Sequence, residues 1–431
     1  MNYQKYASSL LPLCFCASQV LAATGQSNDY KISLSARSGM SDNAAKSQDN
    51  AIDERQDEYR LNVGVNYSNS QVQTLVNYQA VEQRYAKDSQ ENDAYLDGAS
   101  SLLWGTPDSP VDLLLKHSRR TLLQTPDQID ITNNLDERDI FTVIPSARLR
   151  VTSVDTLILS GDFTKIDYAR SPMRDSEREG ATLALVHLLS ATDNLQFSVQ
   201  HTDVSFNHLS SADYRYLNAT LSYAAQLRQF IYRVQLGYNK TENDSQEDDS
   251  GGVYMLSAEY QSGLHKWSVL ASRQITDSSL GDGNYAGIDG FPGSDGSDTV
   301  QQMERSYMEM RWDSSLLCER CALHVNLAVT EDDYLAQTEQ ADQRVAGIGF
   351  GYHFSRVSRF NLSYDYSQRE FKAGLMGKDY DLARVRIGYT YEFANPLRLG
   401  ILASREKRQQ KIGDANYTEN FVGMNLTYVF K

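Results

Sequence analysis

Several scarcities set the frame. The 431 residues hold only 8 prolines and 4 cysteines. Beyond the N-terminal segment there is no run of about 18 apolar residues, which excludes a helical membrane span. Scarce proline beside 27 tyrosines suits strands rather than a disordered chain. Positive charge is also short: 41 Lys+Arg stand against 56 Asp+Glu, a formal net charge of −15. That balance argues against a nucleic-acid partner, which needs a basic surface. No G-x-S-x-G, H-E-x-x-H or P-loop element occurs, so neither an enzyme activity nor a cofactor nor a metal is expected.

What the chain does have is alternation. From Phe421 to Phe430 it reads FVGMNLTYVF. Val422, Met424, Leu426, Tyr428 and Phe430 share one face, and Gly423, Asn425 and Thr427 share the other. Successive side chains of a strand point to opposite faces, so one face is apolar and one polar. The pattern recurs at about ten residues per segment, the mark of a transmembrane β-barrel with lipid outside and water inside. Tyr59 to Tyr67, Thr142 to Val151, Phe230 to Tyr238 and Ala383 to Tyr391 repeat it.

Loop lengths alternate as well. Tight turns at Ser68 to Ser70, Gly105 to Pro110, Ser153 to Asp155 and Ala191 to Asp193 interleave with longer polar stretches. Those stretches are Lys87 to Asn92, Thr125 to Arg138, Arg170 to Glu177 and Thr241 to Gly251. Short periplasmic turns and long external loops are the habit of an up-and-down outer-membrane barrel. The fold expected is therefore all-β: an antiparallel up-and-down transmembrane barrel of about 20 strands. Eighteen is the alternative if the weak patterns near Tyr95 and Ser306 are not strands. About 20 strands tilted near 40° close to a width on the order of 40 Å. Pro145 sits inside a strand pattern and cannot donate to a ladder, which predicts a bulge or break there. Tyr and Trp near strand ends (Trp104, Trp267, Trp312, Tyr168, Tyr223, Tyr260) are expected to form interfacial belts.

Residues 1–22 read as a signal peptide: Lys5, then a mostly apolar stretch from Ala7, then a small-residue cleavage site at Val20-Leu21-Ala22. The barrel domain is then 23–431. Export makes disulfides accessible, and Cys318-Glu319-Arg320-Cys321 falls at a tight turn. A disulfide clamp on that turn is expected for Cys318 and Cys321. Free thiols, or a redox or zinc role, are the alternatives, although no helix follows and no second ligand pair is at hand.

The polar faces collect charge. Lys116, Arg120, Arg148, Arg150, Arg233, Arg311, Arg384 and Arg386 are predicted inward, with Asp112, Asp162, Glu259, Glu309 and Asp365. One reading is a charged wall that orients a hydrated solute, where planar guanidinium groups match carboxylated sugars. The plainer reading is paired charge in lumen water. Between Asp277 and Val300 the chain is rich in Gly and Asp. Asp282, Asp289, Asp295 and Asp298 supply oxygen ligands of the kind calcium takes, but the spacing fits neither an EF-hand nor a nonapeptide repeat. A flexible external loop is expected.

Between residues 117 and 208 a set of short motifs stands out. They are His117-Ser118-Arg119-Arg120, Thr125-Pro126-Asp127, Asn133 to Asp139 (NNLDERD), Pro145-Ser146, Gly161-Asp162-Phe163, Tyr168 and Leu188 to Asp193 (LLSATD). This set resembles the outer-membrane β-barrels encoded with exopolysaccharide and PEP-CTERM/exosortase systems of Gram-negative bacteria. The motifs cover under a quarter of the chain, and no catalytic residue belongs to them. The resemblance implies an outer-membrane pore tied to polysaccharide export, with export components as partners. The last strand, with Tyr428 and Phe430, looks like the signal read by the barrel assembly machinery, although Lys431 follows the final aromatic residue. Outer-membrane lipid is the other expected partner. The functions this leaves are a polymer conduit, a general diffusion porin, or a structural barrel whose loops bind glycans.

Overall fold

The computed structural model describes residues 28–430, apart from 106–108, 126–127, 244–247, 281–292, 295–299, 301, 336–339, 373–377, 394–395 and 414. The signal segment expected at 1–22 lies outside the described residues.

Twenty long strands, from Asp29–Ser41 to Tyr417–Phe430, each pair antiparallel with their neighbours in the chain. The ring closes where the last strand pairs with the first, from Ile32 opposite Phe430 to Ser41 opposite Phe421. Closure gives every strand two partners and leaves no edge in the hydrocarbon layer. The weak patterns near Tyr95 and Ser306 are both strands, Asp93–Trp104 and Gln302–Ser314, which makes the count 20 rather than 18. With an even number, Asp29 and Phe430, the outermost residues of the first and last strands, both lie at the short-turn end.

Register carries the alternation around the whole ring. Ile32, Leu34 and Met40 stand beside Phe430, Tyr428 and Val422 on the outer face. Leu183 and Leu185 stand beside Val199 and Phe197. Most of these side chains have no protein over them, the arrangement expected where lipid is the solvent. Gly39 and Gly423 oppose each other on the inner face.

The strands are longer than the ten-residue template, at 12 to 16 residues. At about 3.3 Å per residue they outrun a tilted crossing of the hydrocarbon layer. Their outer ends therefore stand in water, where polar side chains are tolerated on both faces. Arg138, expected in a loop, is accordingly on a strand, Leu135–Arg150.

Three places interrupt the ladder among the described residues, one of them where pairing of Asp249–Ser262 with His265–Asp277 stops at Tyr254 opposite Arg273. Between Leu135–Arg150 and Asp155–Tyr168, pairing runs to Val143 opposite Phe163 and resumes at Ser146 opposite Ser160. Ile144 and Pro145 are skipped with no change of register, so Pro145 makes a break and not a bulge. Another lies at Gly98, whose φ of 153° suits glycine. Pairing of Asp93–Trp104 with Val111–Leu123 stops at Gly98 opposite Arg119. Above it, the Asp97 carboxylate accepts from the Thr121 backbone N–H (2.7 Å) and hydroxyl (3.0 Å). The freed edge at Leu122–Leu123 pairs in parallel with Gly293–Ser294 from the long loop.

Candidate functional site: the barrel lumen

Register places all thirteen of the charged residues named above on the inner face. Asp112 and Arg148 form an ion pair at 2.9 Å, Arg311 and Glu309 at 2.6 Å, and Arg386 and Asp365 at 2.7 Å. Glu259 meets Lys266 at 3.2 Å. Lys116 lies opposite Thr142, Arg120 opposite Arg138, and Arg150 opposite Thr156. Arg233 lies opposite Ser257 and Asp162 opposite Gly180. These charges are spread around the ring and do not converge on one point. Arg384 belongs to a larger assembly.

That assembly closes one side of the outer mouth. Lys46, in the first long loop, reaches Asp130 (2.6 Å) and Glu406 (3.0 Å). Glu406 also pairs with Arg384 and accepts from the Tyr417 hydroxyl (2.6 Å). Burial opposes the charge on Lys46, but the Asp130 and Glu406 carboxylates outweigh it and hold the ammonium well above the ordinary lysine range. Asp130 belongs to the loop after Val111–Leu123, and it docks on strands near the end of the chain. Ile129 beside it packs on Ala341, Phe371, Tyr380, Leu382 and Tyr417. Arg408 donates to the Gln128 carbonyl at 2.8 Å.

The root of the Gly/Asp-rich loop closes the other side. Asp277, expected at the start of an exposed loop, ends a strand and is 0% exposed. It pairs with Arg178 (2.6 Å) and accepts from the Tyr214 hydroxyl (2.5 Å). Its other oxygen takes the Ser279 N–H at 2.8 Å. Tyr168 donates to the Ser279 carbonyl at 2.7 Å, and Arg138 donates to the Leu280 carbonyl. Leu280 packs against Leu122, Ile166 and Tyr168, and Val300 against Val204, Phe206 and Tyr214. Both described ends of this loop thus turn into the mouth instead of away from it. Asp282, Asp289, Asp295 and Asp298 lie outside the described residues.

Tyr168 is a correction to the expected belt. It shares parity with Asp162, faces inward and is 5% exposed. Trp267 and Trp312, which do face outward, stack at 5.1 Å near the short-turn end. At that same end Cys318 and Cys321 are joined by a disulfide, with Cα atoms 5.0 Å apart. Tyr428 and Phe430 face outward with their rings edge to face at 4.9 Å. Several residues of the 117–208 motifs have structural tasks. Asn134 ties the loop carbonyls of Thr125 and Ile129, both at 3.0 Å, and Tyr168 anchors Ser279.

Lys46, Asp130, Arg178, Asp277 and Glu406 were not singled out from the sequence. Arg178 and Glu406 share the inward parity of their strands, a signal present but lost when the segments were cut at ten residues. Lys46 and Asp130 sit in loops, where parity says nothing.

A closed, two-faced ring of 20 antiparallel strands is an outer-membrane β-barrel. Its apolar exterior over a closed ring is what a membrane's hydrocarbon layer requires of a spanning structure. No protein-family model and no curated protein matches the chain. Among solved structures it is similar to the siderophore receptor PirA from Acinetobacter baumannii, at 9% identity and a TM-score of 0.53, over 94% of this chain and 81% of that one. It also aligns with the FrpB iron transporter from Neisseria meningitidis (9% identity, TM-score 0.46, 95% and 82% covered). A third is OccK2 from Pseudomonas aeruginosa (10% identity, TM-score 0.38, 93% and 98% covered). At these identities the likeness concerns the fold.

Proposed function

We propose that this barrel is a passive outer-membrane conduit for hydrated, acidic solutes. The observation that carries the reading is the inner face itself: 20 strands turn their polar sides inward, with guanidinium groups along the wall. Arg120, Arg150 and Arg233 add planar guanidinium forks to that wall, the geometry that matches carboxylates. Within that reading, an exopolysaccharide or related acidic polymer is the favoured cargo, supported by the resemblance carried in residues 117–208. Polysaccharide export components would then be its partners. Tyr428 and Phe430 on the closing strand would serve the assembly machinery.

The inturned loop roots at the outer mouth favour a second reading, a diffusion porin for small hydrophilic solutes, because a narrowed mouth suits small cargo better than a chain. Purified protein in planar bilayers tests the shared claim. A steady conductance with anion preference is expected. Arg120→Glu combined with Arg150→Glu should move the reversal potential toward cations. Silence in bilayers would end the conduit reading. Deletion in the native host separates the two cargoes: loss of secreted polysaccharide with unchanged small-solute uptake supports the polymer, and the reverse supports the porin.

A further inference from the structure

The outward faces of the strands turn from apolar to charged near the long-loop end, and most cations of that girdle are paired, some across the ladder, as Arg119 with Glu137 (2.7 Å) and Arg273 with Glu304 (2.6 Å). On four strands the outward cation has a carboxylate two residues away on the same face, and the two pair. Arg55 with Asp57 (3.1 Å), Arg84 with Glu82 (2.6 Å), Lys165 with Asp167 (2.9 Å) and Lys240 with Glu242 (2.6 Å) are the cases. The strand Leu397–Gln410 is different. Its outward positions run Ile401, Ala403, Arg405, Lys407, Gln409, so a second cation stands where the carboxylate would be. Both cations are exposed, and neither makes an ion pair or side-chain hydrogen bond among the described residues.

The neighbours leave this pair uncovered and fix its depth. Lys407 lies between Ala383 and Thr418, and Arg405 between Val385 and Asn420. None of the four is a carboxylate, and Ala383 and Thr418 are short. One strand further, Tyr364 and Tyr366 face outward at the same levels. Tyrosine on a lipid-facing surface marks the headgroup layer. Ala403 and Val422, one outward step below, still belong to the apolar belt. Two adjacent unpaired cations at headgroup depth, open on both sides, match an anionic headgroup. Guanidinium and ammonium together favour phosphate.

We propose that Arg405 and Lys407 form a docking site for the phosphate of an outer-leaflet lipid headgroup. The site is independent of what passes through the lumen and requires only the barrel's orientation in the membrane.

The test uses full-length mature protein folded in detergent, with native mass spectrometry reading retained lipid. The probes are bisphosphorylated lipid A, its dephosphorylated form, and inorganic phosphate. Arg405→Gln with Lys407→Gln should retain roughly ten- to thirtyfold less bisphosphorylated lipid A, from the weight of two surface cations near a charged headgroup. Arg84→Gln with Lys165→Gln, a control at paired sites, should retain as much as the unaltered protein. Each single variant should fall between, and heat-modifiable gel mobility checks that every variant is folded. Equal retention by the Arg405/Lys407 variant would overturn the proposal. So would equal retention of dephosphorylated lipid A, or full displacement by millimolar inorganic phosphate, which would mark a site for free anions.

Discussion

The two ends of the lumen are made from the same alternating strands but are covered differently. At the outer end the ion pairs are sealed. Arg178 and Asp277 keep 6% and 0% of their side-chain surface, and Arg305 and Asp332 keep 3% and 5%. Toward the short turns the cover is thinner and uneven: Arg148 and Asp112 keep 18% and 6%, but Lys266 and Glu259 keep 38% and 42%, and Arg398 and Glu392 keep 47% each. Strand chemistry does not separate the two ends; loops do. Long loops fold back over the outer wall and exclude water from it, while the short turns have no length to do so. A charge pair in water contributes little, whereas a sealed pair fixes geometry and is costly to break.

That contrast can be broken in steps. Asp277→Ala strands the Arg178 guanidinium in a buried site and removes the acceptor of Tyr214. A loss of about 3–5 kcal/mol in unfolding free energy is expected, read by denaturant titration in micelles, together with a larger or noisier conductance. Lys46→Met leaves Asp130 and Glu406 with Arg384 as their cation, so a loss of about 2 kcal/mol and a wider mouth should follow. At the short-turn end, Cys318→Ser with Cys321→Ser opens a small loop. The cost should be on the order of 2 kcal/mol with conductance unchanged, and thiol labelling of the unreduced protein should find no free cysteine. Arg398→Ala, at a half-exposed pair with Glu392, should cost less than about 1 kcal/mol; a loss as large as that of Asp277→Ala would erase the distinction between the ends.

The smallest effect expected is one of pH. Burial would raise the Asp379 carboxyl, but the Phe371 N–H and the Lys411 ammonium (2.9 Å) more than offset this and hold it below its ordinary 3.8. A folded value below the unfolded one means the stabilisation is complete above the ordinary value. It fades as pH falls through the lower, folded value. Asp379→Asn should flatten that acid limb of a stability-versus-pH curve by lowering stability slightly at neutral pH, while the most acidic end stays nearly unchanged.

The barrel was legible because its code is local. Val422, Met424 and Leu426 announce a lipid face without reference to any other strand, and the turn at Gly105 to Pro110 announces a reversal. Pro145 announced a bulge or a break, because its missing N–H cannot join a ladder, and the unchanged register on either side makes it a break. The inward charges followed from the same parity. The sealed mouth did not, because its contacts join distant stretches. Lys46 meets Glu406, and Asp277 meets Arg178, and no periodicity relates such positions. Tyr168 was misread as a belt residue for want of parity counting beyond ten residues, although Asp162 had already fixed its side.

The two-residue period has a genetic consequence. Losing one codon inside a strand such as Tyr417–Phe430 would exchange its wet and greasy sides, and both flanking ribbons would reject it. Losing one codon from a long external loop, away from anchors such as Lys46 and Asp130, should be far better tolerated. Tolerance of small deletions along this gene should therefore rise and fall some twenty times, tracing the wall from one seam residue round to the other.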